Sequence, residues 1–557
     1  MIKIYKLINK KQKITLFFIV ILMITIAIFE ALSIGSIFPL LNNIFSIDFD
    51  NSNYLNYFTN YLKIIFKETF IYGLLAIIFA IFFLKNIFIF FYTKFASAFM
   101  MHLSLDIQRK TFQKYLYENY EKLRYIDSNE ILRDINIESR LVVAQFISPI
   151  LTLYLNCSVI AFITILLLIY NYKVTLFIIL FLFLLFILFK FVFNNKLFKL
   201  GQDRQSYQKD ILKSIKQTFD GFRELSTYNF LELFLKNFVK KSIKLANNAM
   251  RRSIIIIIPK LVLETLVIAS IVTAIAIMFS KGYEMNSIFL TISIYTISGL
   301  RIFPIFVAII NAYQTLNYSL PALNRVYDLL GNQKFNKNED HRSLKFDDKI
   351  SLENIYYDYN NKNILNNFSL TIPKNFFLGV TGPSGCGKST LVDIISGIIK
   401  PKSGNISVDG INIKEHAKSW SKKIAYVQQK TYLFDSSIIK NITFQENEDD
   451  VNIDRLNYSL ELSGLKEFVD GLKNKLYSNV GEFGKNISGG QHQRIGLARA
   501  IYKNPEVIII DEGLSNLNDE LKEPIIKRLI DLKREKIIIY VSHNLSDLSK
   551  CDKVIKL

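Results

Sequence analysis

The chain has 557 residues; half of them are hydrophobic, and 68 Lys and Arg stand against 48 Asp and Glu, for a formal net charge of +20. The length allows two or three domains, and three cysteines are too few for the disulfide framework of a small secreted protein. Many basic residues lie between long apolar blocks rather than on one soluble face, so membrane topology explains the charge better than nucleic-acid binding.

The N-terminus predicts an uncleaved first membrane span. Its first 13 residues, MIKIYKLINKKQK, contain five lysines and no acidic residue. The apolar block that follows is too long for the core of a signal peptide and has no clear cleavage site.

Six apolar blocks before residue 325 are long enough, or nearly so, to cross a bilayer as helices, which takes about 20 residues. We predict an α-helical membrane domain at 1–325, with spans near 14–42, 69–93, 141–172, 174–195, 253–280 and 285–318, and a linker at 326–349. The segment 196–252 carries 13 Lys or Arg against 5 Asp or Glu. The long segments after spans two and four are therefore expected in the cytoplasm. The segment between spans one and two is expected outside, either on the bilayer surface or beside the substrate.

Three cations interrupt the apolar spans. Lys85 is the only charge in 69–93, Arg301 is the only charge from Met285 to Asn324, and Lys260 lies in span five. Intramembrane charges usually line a pathway, because a charge facing lipid costs several kcal/mol. We predict that the three converge on an aqueous cavity for an anionic, phosphate-bearing substrate. The alternatives are structural ion pairs, such as Lys260 with Glu264 one turn later, or Glu30 of span one with one of the cations.

From Ile350 onward, short apolar runs alternate with helical patterns, which is typical of an α/β domain. Within it GPSGCGKS, from Gly382 to Ser389, fits the P-loop pattern between a predicted strand and a predicted helix. In this pattern backbone N–H groups surround the phosphates, Lys388 reaches the β- and γ-phosphates, and Ser389 binds Mg²⁺. Further on, VIIIDE places Asp511 at a strand end, where it can hold Mg²⁺, and Glu512 where it can accept a proton from water.

The series GPSGCGKST, YVQQ, ISGGQHQR, VIIIDE and VSHN resembles the nucleotide-binding domain of ABC transporters, and it covers residues 350–557. The resemblance implies an α/β P-loop nucleotide-binding domain that uses ATP and Mg²⁺. By position, it assigns catalysis to Lys388, Gln429, Glu512 and His543. It assigns the binding of Mg²⁺ to Ser389, Gln429 and Asp511. It assigns contacts with ATP to Tyr359, Gly382, Pro383, Ser384, Gly385, Cys386, Gly387, Lys388, Ser389, Thr390, Gln429, Ser488, Gly489, Gly490 and Gln491. One departure is Asn518, where the family usually has Asp.

Six spans followed by one such domain resemble an exporter half-transporter, in which ISGGQ completes the ATP site of a second subunit. A homodimer in the bacterial inner membrane, with the nucleotide-binding domain in the cytoplasm, is the simplest expectation. The segments YEKLRYIDSNEIL and FDGFRELSTYNF would supply the coupling helices.

The membrane half, in PKLVLE and TISIYTISGLRIFP, is similar to the PglK family of lipid-linked oligosaccharide flippases. In that family, basic residues at the positions of Lys85, Lys260 and Arg301 handle the pyrophosphate of a polyprenyl-linked glycan. Lysine replaces the family's arginine at two of them.

Three alternatives stay open. A lipid A or phospholipid flippase would also need basic residues in its cavity. A peptide exporter shares the architecture, although the sequence begins at the first span without a leader-cleaving peptidase domain. An ATP-switched module that does not transport is the alternative from another class.

Overall fold

The protein is described by a computed structural model for residues 8–36, 70–170, 172–280, 285–331, 344–359 and 362–557. The chain divides into two compact units, Met1–Phe335 and Asn336–Leu557. The predicted external segment after span one, the end of that span from residue 37, and residues 332–343 of the predicted linker lie outside the described residues.

The first unit is helical. Its helices are α1 (Lys10–Gly35), α2 (Phe70–Leu116), α3 (Tyr120–Leu123), α4 (Ser128–Arg133), α5 (Ser139–Leu141), α6 (Ser148–Tyr170), α7 (Tyr172–Asp220), α8 (Phe222–Thr227), α9 (Leu231–Ser280) and α10 (Met285–Leu330). Two π-helical turns, Asp134–Glu138 and Val142–Ile147, join α4, α5 and α6 into one continuous helical path.

Six of these helical stretches are long and apolar enough to cross a membrane, which confirms the predicted class of membrane domain. Helices α2, α7, α9 and α10 have 46 to 50 residues. At 1.5 Å per residue they are about 70 Å long, more than twice the thickness of a hydrocarbon core of about 30 Å. The predicted spans therefore cover only parts of these helices, because hydropathy detects the lipid-facing turns and misses their charged extensions.

Two buried acids join the extensions of four helices through ion pairs and a hydrogen bond. Asp134, on the first π-helical turn, accepts hydrogen bonds from Tyr115 of α2 at 2.7 Å and from Arg325 of α10 at 2.8 Å. One turn further, Glu138 accepts from Arg204 of α7 at 2.9 Å. Both acidic side chains are fully buried. Because a buried charge without its partner is strongly destabilising, these pairs fix how the helices meet.

The second unit is an α/β domain with two sheets. Strands β1 (Lys349–Tyr359), β2 (Lys362–Pro373), β4 (Ser403–Val408) and β5 (Ile411–Asn412) form an antiparallel sheet in the order β2-β1-β4-β5. Strands β3 (Phe377–Thr381), β6 (Ile424–Val427), β7 (Val507–Asp511), β8 (Ile537–Val541) and β9 (Lys553–Lys556) form a parallel sheet in the order β6-β7-β8-β3-β9.

Helices cover the parallel sheet. They are α11 (Lys388–Ile395), α12 (Ala417–Lys423), α13 (Ile438–Thr443), α14 (Ile453–Leu462), α15 (Lys466–Asp470), α16 (Gly489–Tyr502), α17 (Asp519–Leu532) and α18 (Leu545–Leu548). Every residue of β3, β7 and β8 is buried, as expected for central strands covered on both faces. The predicted α/β class is confirmed, and the loops after β3, β7 and β8 share one edge of the sheet, where ligands bind in open α/β folds.

Gly201 lets α7 approach α10 closely. A Cβ atom at this position would lie 2.1 Å from the carbonyl oxygen of Tyr318. We expect Gly201→Ala to lower the stability of the membrane unit by about 1–3 kcal/mol, since the added methyl forces two helix backbones apart. The measurement is thermal unfolding in detergent. Gly299→Ala is the matched control, because a Cβ there meets nothing within 4 Å; an equal loss in both variants would contradict the prediction.

Candidate functional site

The P-loop turns between β3 and α11. Gly385 and Gly387 have φ angles of 79° and 109°, in the left-handed region that favours glycine. A Cβ on Gly387 would lie 2.6 Å from Cγ2 of Ile364, whereas a Cβ on Gly385 would meet nothing within 4 Å. Lys388 opens α11 and is buried, and its Nζ donates to the carbonyl oxygens of Gly382 at 2.9 Å and Pro383 at 3.1 Å. The ammonium is thus held inside the loop.

Asp511, the last residue of β7, is buried. Tyr426 of β6 donates its hydroxyl to Oδ2 of Asp511 at 3.0 Å. Burial, and then the charges of Asp511 and Asp393, raise the pKa of Tyr426. The phenol therefore stays protonated and keeps donating, which aims the Asp511 carboxylate.

Glu512 follows with a φ of 50°, an unusual left-handed conformation for a residue with a side chain. Its backbone N–H donates to Val541 O of β8 at 3.1 Å, so sheet pairing holds the turn. Gln429 donates to Oε2 of Glu512 at 2.6 Å, and Nε2 of His543 lies 2.7 Å from Oε1. The structure therefore brings three of the four predicted catalytic residues together on one carboxylate.

A buried ion pair supports the loop that carries His543. Lys522 of α17 pairs with Asp547, which also accepts a hydrogen bond from the hydroxyl of Ser542 at 3.2 Å. The Ser542 hydroxyl in turn accepts from Asn544 N at 3.1 Å. His543 itself is exposed, so the loop presents its ring to the surface next to Glu512.

Gln493, within ISGGQHQR, was not among the predicted site residues. It is 1% exposed, and its Nε2 lies 3.4 Å from Glu512 O and 3.2 Å from Ser515 Oγ. Its Oε1 accepts from Asn516 N at 2.9 Å. One amide thus ties α16 to the turn that carries Glu512. Its place in the motif could have drawn attention to it, but its contacts depend on the fold.

Ser488 caps the N-terminus of α16. Its hydroxyl accepts from Gln491 N at 3.4 Å, and Gln491 Oε1 accepts from Ser488 N at 2.9 Å. This capping box holds Gly489 and Gly490 in the first turn, where backbone N–H groups point outward from the helix end. Such an end attracts phosphate.

The remaining predicted ATP contacts lie at the ends of elements. Tyr359 ends β1 and packs against the core of the antiparallel sheet. Ser389 and Thr390 lie in the first turn of α11. Asn518 occupies the N-cap position of α17, but its side chain makes no capping hydrogen bond.

In the membrane unit, one carboxylate holds two of the three predicted cavity cations. Nζ of Lys85 lies 3.0 Å from Oε2 of Glu30, and Nη1 of Arg301 lies 3.3 Å from Oε1. The Phe82 ring contacts both cations, 4.6 Å from Nζ of Lys85 and 5.5 Å from Cζ of Arg301. We call Glu30, Phe82, Lys85 and Arg301 the Glu30 cluster. The weighed alternative of a Glu30 ion pair is therefore confirmed for two cations.

Lys260 is placed differently. It is exposed on α9, and so is Glu264 one turn later. Within the part of the chain that the structure describes, no ion pair joins Lys260 to Glu264 or to Glu30. The expected convergence of three cations is thus seen for Lys85 and Arg301 only.

Comparisons with known proteins agree with the motifs. Residues 365–515 match the family described as ABC transporter. A probable ABC transporter ATP-binding/permease protein of Haemophilus influenzae is 34% identical over 251 residues, 45% of either chain. The ATP-dependent lipid A-core flippase of Burkholderia pseudomallei is 22% identical over 466 residues, 81% of this chain and 76% of that protein. The chain thus spans about half the length of the relative that it matches at higher identity.

A solved structure extends the likeness to the whole fold. A bacterial Atm1-family ABC exporter with ATP bound superposes with a TM-score of 0.77 and 15% sequence identity, covering 96% of this chain and 93% of that one. At this identity the comparison shows the fold alone. The six long apolar helices and the bacterial relatives confirm a multi-pass protein of the inner membrane with a cytoplasmic nucleotide-binding domain. Residues 365–515 thus match the ABC transporter family, and the chain as a whole has the fold of an ABC exporter.

Proposed function

We propose that two copies of this chain form an ATP-driven transporter that flips an anionic lipid-linked substrate to the outer leaflet of the membrane. The cargo that fits best is a polyprenyl-pyrophosphate-linked oligosaccharide. The observation that carries the proposal is the Glu30 cluster, in which two cations from α2 and α10 share one carboxylate.

The charge of the cluster favours an anion. Lys85 and Arg301 contribute two positive charges and Glu30 one negative charge, so the ion pairs leave a net charge of +1. Lys260, exposed on a third spanning helix, adds another. Because unbalanced charge is costly in the membrane interior, a positive surplus is best explained by a ligand that brings negative charge.

Hydrolysis would be driven by the residues around Glu512. Its carboxylate can accept a proton from the attacking water, while Gln429 and His543, already in contact with it, orient that water and the γ-phosphate. Lys388, held inside the P-loop, would contact the β- and γ-phosphates.

The same site suits Mg²⁺. Ser389, Gln429 and Asp511 offer a hydroxyl, an amide oxygen and a carboxylate, the hard oxygen donors that Mg²⁺ prefers, and few protein ligands suffice because phosphates and waters complete the shell. When bound, the ion neutralises charge that develops on the phosphates. The hydroxyl of Tyr426 keeps Asp511 aimed for this role.

We infer a dimer from the signature motif. The first turn of α16, with Ser488, Gly489 and Gly490, would bind the γ-phosphate held by a second copy. ATP would then close the two nucleotide-binding domains and switch the membrane domains outward. Because Gln493 joins α16 to the Glu512 turn, a movement of α16 on closure over ATP would be transmitted directly to the catalytic carboxylate.

Coupling helices are proposed at the two predicted segments. Helix α3 (Tyr120–Leu123) and helix α8 (Phe222–Thr227) are short and carry exposed aromatic residues, among them Phe222. On the nucleotide-binding domain, a cleft of about 410 Å³ beside Gln429 is lined by Tyr432, Phe483 and other residues. Because Gln429 lines this cleft and donates a hydrogen bond to Glu512, an occupant of the cleft would act on the catalytic carboxylate.

Lipid A export is the second candidate function. The lipid A-core flippase of Burkholderia pseudomallei aligns with 81% of this chain, which is more than the nucleotide-binding domain alone. Lipid A also presents phosphate groups to a transporter. The two candidates therefore share the demand for cations in the cavity and differ in the lipid and the glycan.

The proposal is tested by ATP-dependent flipping of a fluorescent polyprenyl-pyrophosphate glycan in liposomes, with lipid A as the rival cargo. We expect Lys85→Ala, Lys260→Ala and Arg301→Ala each to slow flipping by about tenfold or more, because each removes a contact to phosphate worth roughly 1.5–3 kcal/mol. Lys190→Ala, which removes an exposed lysine from another spanning helix, is the control. Equal flipping by all variants would reject the charged cavity.

Glu512→Gln should abolish turnover while sparing nucleotide binding. The amide keeps the size of the side chain but cannot accept a proton, so we expect kcat to fall by about 10²–10⁴-fold. ATPase assays and nucleotide affinity of the purified dimer measure the two effects. A wild-type dimer without any ATP turnover would instead favour the non-transporting module.

Gln493→Met tests the link between α16 and the catalytic turn. Methionine keeps the volume but leaves Asn516 N and Ser515 Oγ without their partner, so the Glu512 turn should loosen. We expect kcat to fall by about tenfold with little change in ATP affinity, a loss of roughly 1.4 kcal/mol in transition-state binding. A loss of affinity at constant kcat would mean that Gln493 acts only on nucleotide binding.

A further inference from the structure

Glu30 is the acidic residue of the Glu30 cluster, and each of its carboxylate oxygens has its own cationic partner. Its two carboxylate oxygens contact different cations, Oε2 at 3.0 Å from Lys85 and Oε1 at 3.3 Å from Arg301. The carboxylate therefore bridges helices α2 and α10 from its place on α1. The two cations present two positive groups to one bidentate oxyanion.

A phosphate could bind the same two cations as the carboxylate does. It also offers two oxygens on one centre, and guanidinium and ammonium groups are the usual partners of both carboxylate and phosphate. Lys85 and Arg301 thus form a seat for an oxyanion, and Glu30 occupies that seat in this structure.

The two cations differ in how far the rest of the chain covers them. The Lys85 side chain is 7% exposed and that of Arg301 is 41% exposed, whereas Glu30 is almost as buried as Lys85. An incoming anion would meet Arg301 first, because its guanidinium has an open side. It could reach Lys85 only by taking the position of the Glu30 carboxylate.

The cluster lies deep along its helices, which favours the exchange of one anion for another over a contact at the protein surface. Glu30 lies 17 residues after Lys13 and Lys85 nine residues before Lys94, so the pair lies roughly 14–26 Å inside the nearest flanking lysines along these helices. At such a depth the buried Lys85 needs a counter-charge at every stage. Glu30 supplies it without substrate, and a phosphate would supply it with substrate.

We propose that Glu30 is an exchangeable counter-ion, displaced from Lys85 and Arg301 when the phosphate of the cargo binds and returning to expel it. This inference rests on the proposed function in requiring an anionic cargo. It makes Glu30 a residue that sets both affinity and release, because the same carboxylate competes with the cargo and, once displaced, repels it.

The test compares wild type with Glu30→Gln in the full-length dimer reconstituted in nanodiscs. The probe is undecaprenyl pyrophosphate carrying a short glycan, with undecaprenol as the uncharged control, and the readout is stimulation of ATP turnover against lipid concentration. We expect Glu30→Gln to lower the half-maximal concentration about tenfold, which corresponds to 1.4 kcal/mol. The maximal rate should fall, because release is slower.

Glu264→Gln is the matched control. Glu264 is also a carboxylate of a spanning helix, but it is exposed and no ion pair holds it within the described residues. Its half-maximal concentration should equal that of wild type. An unchanged or raised value in Glu30→Gln, with wild type responding to the lipid, would overturn the exchange and leave the proposed function intact.

Two further experiments separate a failure of the exchange from a failure of the proposed function. If wild type ignores the pyrophosphate lipid, the comparison is repeated with lipid A, for which the same shift is expected; a response to neither lipid would end both proposals. If Glu30→Gln does not fold, Glu30→Asp keeps the charge on a side chain one methylene too short to contact both cations. It should lower the half-maximal concentration by a smaller factor, and an unchanged value would again reject the exchange.

Discussion

A charge in an apolar interior is stable only beside a counter-charge or water, and this constraint organises the membrane unit. At the ends of the long helices it is met by buried acids on the π-helical turn, Asp134 and Glu138, each paired with an arginine of another helix. Deeper in the bundle it is met by one carboxylate for two cations, Glu30. All of these pairs fix how the helices pack, and at Glu30 an anionic ligand can complete the balance of charge.

In the nucleotide-binding domain, the pairing of strands rather than of ions determines the geometry of the site. The parallel strands β7 and β8 are wholly buried, so their ends are rigid, and the chain leaves β7 through Glu512 in a left-handed conformation. That turn directs the carboxylate towards Gln429 and His543, which come from loops after neighbouring strands. A strained residue held by buried strands is a common feature of catalytic positions.

The chemistry of the nucleotide site could be predicted from the sequence, because each motif joins a residue type to a local backbone shape. Glycines at fixed spacing define the P-loop around Lys388, and a strand end defines the place of Asp511. Gln493 could not be found in this way, since its partners lie 22 and 23 residues further along the chain. Helix lengths were also underestimated, because hydropathy follows lipid contact and α7 or α9 continues far beyond it.

The membrane charges show most clearly where sequence reasoning ends. The sequence places Lys85, Lys260 and Arg301 in apolar spans and predicts that they converge, but position along a helix does not fix the direction of a side chain around it. The rotation of α1 brings Glu30 between Lys85 and Arg301, whereas Lys260 remains exposed on α9. The cluster therefore has a paired, buried side and an open side at Arg301. An anion that enters from the open side must compete with Glu30 for Lys85, so the affinity of the seat depends on an acidic residue that no count of positive charges would include.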